Sequence, residues 1–244
     1  MIYNQKFVII MTNVFLQIYF NIGGVYMNKI ISVEEAISHI KDGMTIMVGG
    51  FLGCGSPHKI IDALVEKGVK DLTLICNDTG FVDYGVGKLV VNKQIKKLIA
   101  SHIGTNKETG NQMNSGEMEV QLVPQGTLAE RIRAGGAGLG GFLTPTGIGT
   151  VIEEGKQKIE IDGTEYLLEL PLRADVALLS GHTVDKMGNI VYFGATRNFN
   201  TLMATAADLV IVEAENIVEV GEIDQNDVVT PGLFVDYIVD GGDR

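Results

Sequence analysis

A glycine-rich run follows an apolar segment and precedes a segment with a helical pattern of apolar residues. The run reads Gly49, Gly50, Phe51, Leu52, Gly53, Cys54 and Gly55. Backbone N–H groups in such a loop can bind an anion or an oxyanion. The run lacks the Gly-Lys-Ser/Thr of a phosphate-binding loop, and His58 occupies the third glycine position of a dinucleotide fingerprint. Two interpretations therefore remain, an anion site or a tight connection without a ligand.

A second candidate is Gln125, which follows Val123 and Pro124 and precedes a helical segment. A carboxamide in this position can donate to a carbonyl or an oxyanion. The alternative is a turn glutamine that faces solvent.

Other reactive side chains give weaker signals. Glu117 could be a carboxylate nucleophile, or simply a polar residue that starts an edge strand. Neither cysteine has zinc spacing, and none of the four histidines is at metal spacing, so we predict no metal site. The two cysteines suit a reducing, cytoplasmic setting. The residues concerned are Cys54, Cys76, His39, His58, His102 and His182.

The elements around these residues alternate between helix and strand. Ser32 to Glu35 is a capping box, and residues 44–48 form a short apolar strand. Ser56 is expected to cap the next helix, with Pro57 at its first position, and residues 72–76 are a second strand before the polar loop Asn77 to Gly80. This order predicts an α/β fold with a parallel sheet covered by helices on both faces. Ligands collect at the carboxyl ends of such strands, where both loops lie.

The second half of the chain continues with strands. Thr127 to Glu130 predicts another capping box, and the glycine-rich run Gly135 to Thr150 predicts a long ordered loop. Asp162 and Gly163 predict a type I′ hairpin between two short strands. Further strands are expected at residues 176–179, 190–193 and 209–212.

Composition excludes some function classes. The 244 residues carry a formal net charge of −11, which disfavours nucleic acid as a partner. The apolar run Phe7 to Phe20 is shorter than the roughly 20 residues that span a bilayer. We therefore expect no membrane association, with residues 1–26 an extension outside the fold and residues 27–244 a single domain. A signal peptide is the alternative for the first 26 residues.

Three ordered motifs resemble the alpha subunit of family I CoA-transferases, the acetate, butyrate and 3-oxoacid type. Residues 42–57 resemble the alpha signature, with an Asp-Gly pair, an apolar strand, Gly-Gly-Phe, a glycine and a proline. Residues 115–147 contain a second match, including Pro124 to Arg133, and residues 195–200 a third. The resemblance runs from about residue 27 to the C-terminus.

The resemblance implies an open, mainly parallel twisted sheet and ping-pong transfer of CoA between carboxylates. The intermediate is a glutamyl-CoA thioester, whose glutamate lies in a beta-subunit signature, roughly Ser-Glu-Asn-Gly, that is absent from this sequence. Activity is therefore expected only with a beta subunit, in an α2β2 assembly, with acyl-CoA and short-chain carboxylates as substrates and no tightly bound cofactor.

The same resemblance assigns roles to particular residues. Gly49 to Gly55 becomes a CoA-contacting loop, Gln125 a substrate-positioning residue and Asn77 a neighbour of the reacting carboxylates. Asp78 replaces a second amide, and its role is open. Alternatives are a 3-oxoadipate or other 3-oxoacid CoA-transferase, a non-catalytic CoA-binding module, or a sugar-phosphate isomerase with Glu117 or His102 as base.

Overall fold

The computed structural model describes residues 28–242. Within them a nine-stranded sheet is formed by β1 (Ile30–Ile31), β2 (Thr45–Val48), β3 (Leu72–Ile75), β4 (Ile95–Ala100), β5 (Glu119–Leu122), β9 (Ala174–Asp185), β10 (Ile190–Val191), β11 (Ala207–Val218) and β12 (Tyr237–Asp240). The order of its strands is β1-β12-β11-β9-β2-β3-β4-β5, with β10 paired to β9.

Every pairing in this sheet is parallel except that of β10 with β9. The α-helices are α1 (Val33–Ser38), α2 (His58–Lys67), α3 (Gly87–Val91), α4 (Lys107–Ser115), α5 (Gln125–Gly136) and α6 (Asn200–Met203). The α/β class and the mainly parallel sheet predicted from the sequence are confirmed.

Each strand contributes side chains to two separate cores, because successive residues of a strand point to opposite faces. In β2, Ile46 and Val48 lie in the core with α1, α2 and α3, whereas Met47 lies in the core with α5 and α6. Helices therefore cover both faces of the sheet, as predicted, and the strands are apolar on both sides.

A smaller antiparallel sheet has the order β6-β8-β7, formed by β6 (Phe142–Thr144), β8 (Thr164–Glu169) and β7 (Lys158–Ile161). Asp162 and Gly163 join β7 to β8 with φ of 51° and 76°. Positive φ at both central residues is the type I′ geometry, so the predicted hairpin is confirmed. The long loop predicted over residues 135–150 is wrong in part, because this stretch contains β6.

Two predicted helix caps are also wrong, although Ser32 does accept a hydrogen bond from the Glu35 N–H as predicted. Ser56 makes no cap, and its hydroxyl donates to the Gly49 carbonyl at 3.0 Å. Helix α2 is capped instead by the buried Glu213 of β11, whose Oε2 accepts from the Ile60 N–H at 2.9 Å. Thr127 is buried inside α5, which begins two residues earlier.

The N-terminal extension expected over residues 1–26 lies outside the described residues. Among residues 28–242, no helix has the length and apolar character needed to cross a bilayer.

The end of α5 packs closely against the chain segments that lead into β9 and β11. A Cβ atom placed on Gly135 would lie 1.9 Å from the Leu172 carbonyl oxygen, and one on Gly136 would lie 2.0 Å from the Thr205 hydroxyl. Glycine therefore brings the helix and its neighbours into contact here. Gly110 of α4 differs, because a Cβ there meets no atom within 4 Å.

This contrast gives a paired stability prediction. Gly110→Ala should raise the free energy of unfolding by about 0.5–1 kcal/mol, because alanine is the better helix former. Gly135→Ala should lower it by about 1–3 kcal/mol through overpacking, despite the same gain in propensity. Urea unfolding of both variants measures the difference, and stabilisation by Gly135→Ala would contradict the packing described here.

Candidate active site at the carboxyl edge of the sheet

Loops that follow neighbouring strands meet at the carboxyl edge of the large sheet. The loop 49–55 follows β2, residues 77–80 follow β3, and Ser101 follows β4. Gln125 opens α5 just beyond β5, and residues 194–200 connect β10 to α6. The sequence-predicted residues Asn77 and Gln125 and the predicted loop are therefore brought to one edge.

The loop 49–55 is a miniature hairpin. The N–H groups of Phe51 and Cys54 each donate to the other's carbonyl, at 3.0 and 2.9 Å. Leu52 and Gly53 form its tip with φ of 49° and 83°. A leucine in the left-handed region is strained, and such a conformation persists only where surrounding contacts over-determine it.

Those contacts come from three polar side chains of other segments. The Asp78 carboxylate accepts from the Leu52 N–H at 3.0 Å, and Asn198 Oδ1 accepts from the Gly50 N–H at 3.1 Å. Asn200, fully buried, donates to the Gly55 carbonyl and to the Thr196 carbonyl, and accepts from the Ser180 N–H. We call Asp78, Asn198 and Asn200 the loop clamp.

Close packing around the loop requires glycine at two of its positions. A Cβ on Gly49 would lie 1.9 Å from Asn200 Oδ1, and one on Gly53 would lie 2.1 Å from the Tyr84 ring. Five backbone N–H groups of the loop also donate inside the protein, those of Gly49, Gly50, Phe51, Leu52 and Cys54. These five donors are therefore committed to holding the loop, which favours the tight-connection interpretation for its backbone.

An amide cluster lies beside the loop. Gln125 Nε2 donates to Asn77 Oδ1 at 2.8 Å, and Ser101 Oγ donates to the same oxygen at 3.0 Å. Asn77 is buried, whereas Gln125 is exposed at the start of α5. The buried asparagine thus orients the exposed glutamine, and Gln125 retains a second N–H for a ligand.

Asp78, whose role the sequence left open, belongs to the structural side of the site. Its carboxylate accepts from the Gly80 N–H at 2.7 Å and from Asn77 Nδ2 at 2.9 Å, in addition to Leu52. Three donors compensate the burial of this charge. Asp78 therefore joins the amide cluster to the loop.

A surface cleft of about 380 Å³ opens next to Gln125. It is lined by Phe51, Gln125, Gly126, Ala129, Asn198, Phe199 and Leu202. The lining combines amides with apolar side chains, which suits a ligand with a polar and an apolar part.

Other candidates from the sequence lie elsewhere or have structural partners. Glu117 is half-exposed and pairs with Lys93 at 2.8 Å, outside this cleft. The His58 Nε2–H donates to the Gly53 carbonyl at 2.9 Å, and its ring contacts Tyr84. His102 is exposed and forms a strand-like bridge with Asp78.

The two cysteines differ in environment. Cys54 is exposed in the hairpin, whereas Cys76 is buried at the end of β3. Burial raises the pKa of the Cys76 thiol, and the nearby Asp78 charge adds to this effect. Within the part of the chain that the structure describes, no group of three His, Cys, Asp or Glu side chains is placed to hold a metal ion.

Sequence reasoning assigned no role to Asn198 and Asn200, although both belong to a motif that carried the family resemblance. Their contacts with the loop join residues more than 140 positions apart, and no local pattern signals such a contact. It also missed a pair between His182 Nδ1 and Glu215 Oε2 at 2.7 Å, beside Phe193.

Comparison with known proteins connects this geometry to a family. The family model "Coenzyme A transferase" matches residues 30–241. The chain is 58% identical over 211 residues to the alpha subunit of the acetate CoA-transferase of Escherichia coli K12, covering 86% of this chain and 96% of that one. It is 59% identical over 212 residues to the acetoacetyl-CoA:acetate/butyrate CoA transferase alpha subunit of Clostridium acetobutylicum, covering 87% and 97%.

Solved structures share the fold at lower identity. An acyl-CoA transferase from E. coli O157:H7 superposes with a TM-score of 0.79 and 22% identity, over 88% of this chain and 47% of that chain. Glutaconate CoA-transferase from Acidaminococcus fermentans gives 0.77 and 19%, over 87% and 75%. Given the family match and the two alpha-subunit relatives, this chain belongs to the coenzyme A transferase family of enzymes.

Proposed function

We propose that the chain is the alpha subunit of a CoA-transferase that moves CoA between a short acyl-CoA or acetoacetyl-CoA and a free carboxylate such as acetate or butyrate. The observation that carries this proposal is the match to two alpha subunits with these substrates in their names, over almost their whole length. A chain of the succinyl-CoA:3-ketoacid coenzyme A transferase of Helicobacter pylori is 48% identical, so a 3-oxoacid substrate is the second candidate.

The proposed reaction uses a glutamate from a beta subunit. Its carboxylate attacks the acyl thioester, which releases CoA thiolate and leaves an acyl-glutamyl anhydride. The thiolate attacks the glutamyl carbonyl, giving a glutamyl-CoA thioester and the first free acid. The second acid reverses these steps. No Ser-Glu-Asn-Gly run occurs in the 244 residues, which supports a nucleophile supplied in trans.

In this scheme Gln125 and Asn77 form the neutral wall of the site. The Gln125 amide donates to the substrate carboxylate or to the oxygen that gains charge during attack, and Asn77 holds the amide in place. CoA would contact the hairpin tip through Phe51, Leu52 and Cys54, because most loop N–H groups are already used.

The remaining parts of the proposal concern assembly and setting. We propose an α2β2 complex in the cytoplasm, with CoA cycling as a substrate and no tightly bound cofactor. Residues 27–244 would form the alpha-subunit domain and residues 1–26 an extension. The exposed aromatic side chains of Phe81, Tyr84 and Phe193 are available for a partner surface.

The first prediction concerns the shared site. CoA transfer from acetyl-CoA to butyrate should appear only when this chain is mixed with its beta subunit, and neither of the two chains should be active by itself. Butyryl-CoA formation, measured by chromatography, tests this. Transfer by this chain in isolation would mean that the nucleophile lies in this chain, and Glu117 would be the first candidate.

A second prediction concerns Gln125. Gln125→Ala should lower kcat/KM of the complex by about 100-fold, in the range found when one oxyanion donor is removed. The fold should survive because Gln125 is exposed. Gln157→Ala, at an exposed glutamine near the small sheet, is the matched control and should keep full activity. Equal kcat/KM for the Gln125→Ala and Gln157→Ala complexes would show that Gln125 does not take part in the site.

A third prediction concerns the loop. An alkylating reagent at neutral pH should label Cys54 and spare Cys76, which is buried and has a raised pKa. In the complex, acetyl-CoA should slow the labelling of Cys54 at least several-fold. Peptide mass spectrometry identifies the modified cysteine. If neither acetyl-CoA nor the beta subunit changes the labelling rate of Cys54, the loop is not part of the site.

A further inference from the structure

The cleft beside Gln125 owes its space to two small residues on one face of α5. Gly126 and Ala129 line it together with Gln125, at positions one and four residues further along the helix. Residues four apart lie above one another on a helix, so Ala129 is directly behind Gln125 as seen from the helix start. A Cβ on Gly126 meets no atom within 4 Å. At Gly126 the helix is therefore open to the cleft, whereas Ala129 is partly buried against the core.

Another part of the lining is apolar and packs on the core. Leu202 lies in α6, and Phe199 directly precedes that helix. Both pack on the core that also contains Leu128 and Ile132 of α5. Helices α5 and α6 are in contact. Because this part of the lining packs on the core, the width of the cleft depends on the side chain that α5 presents.

The lining of the cleft has two kinds of side chain, the amides of Gln125 and Asn198 and the apolar groups of Phe51, Ala129, Phe199 and Leu202. A short carboxylic acid has the same division, with a carboxylate that accepts hydrogen bonds and an alkyl chain that gains free energy on leaving water. A carboxylate at Gln125 would direct its chain toward Ala129.

We propose that Ala129 is a specificity-determining residue that sets the longest alkyl chain the enzyme accepts, with Leu202 as a second limit. This inference rests on the proposed function, since it names the part of the same site that binds the alkyl chain of the acid. One methylene more or less in an apolar pocket changes selectivity by about 10- to 200-fold. A larger side chain at position 129 should therefore favour acetate over longer acids.

The experiment uses the complex of this chain with its beta subunit. With acetoacetyl-CoA as the donor and acetate, butyrate or hexanoate as the acceptor, kcat/KM for the acceptor acid is measured at each chain length. Ala129→Leu keeps a strong helix former in α5 and adds three carbon atoms on the cleft face. We expect the ratio of butyrate to acetate kcat/KM to fall at least tenfold, and that of hexanoate to acetate to fall further.

A second variant widens the cleft at another position. Leu202→Ala should raise the hexanoate to acetate ratio by about tenfold, and thermal unfolding of the complex checks that the variant folds. The double variant, Ala129→Leu with Leu202→Ala, should bring both ratios back toward those of the parent. Recovery of this kind would not follow from a general loss of stability. Asn114→Leu, at an exposed position of α4, which packs with α3 on the other face of the sheet, is the control and should leave the ratios unchanged.

The possible results of these assays distinguish a failure of this inference from a failure of the proposed function. Ratios that move in opposite directions in the two single variants and recover in the double variant support Ala129 as the determinant. Transfer with unchanged ratios in all variants overturns the inference and leaves the CoA-transferase proposal standing. No transfer by the parent complex to any of these acids overturns the proposed function itself.

Discussion

The site depends on a set of buried and partly buried hydrogen bonds that holds the hairpin 49–55 in a strained shape. Asp78, Asn198 and Asn200 reach the loop from two other segments, and the loop has no helix or sheet ladder of its own beyond one pair of bonds. A left-handed leucine at the tip, Leu52, costs free energy that these contacts must exceed. The clamp therefore fixes the position of the loop relative to the amide cluster.

The shape of the loop also explains why the start of α2 needs a distant hydrogen-bond partner. Ser56, the local candidate for capping α2, is used to hold the Gly49 carbonyl. The open N–H groups at the start of α2 then require another acceptor, and the buried Glu213 supplies one from β11. The loop, the start of α2 and strand β11 are thus connected by hydrogen bonds.

Features decided by neighbouring residues could be predicted from the sequence, whereas those decided by distant contacts could not. The Ser32 cap, the type I′ turn at Asp162 and Gly163, and the strands before each site loop depend on local propensity and pattern. The Ser56 cap could not be corrected from the sequence, because its competitor Glu213 is 153 residues from Ile60. Likewise, the carboxyl-end rule and the resemblance brought Asn77 and Gln125 together, but their direct hydrogen bond depends on buried side-chain geometry.

Neutral amides suit the proposed chemistry for an electrostatic reason. The chain carries a formal net charge of −11, and both the acids and CoA are anions, so an unpaired carboxylate on this wall would repel every substrate. Asp78 avoids this because three donors surround its charge below the surface. An amide also needs no proton to change hands between the two half-reactions. Gln125 can therefore donate to the departing acid and to the incoming acid in the same state.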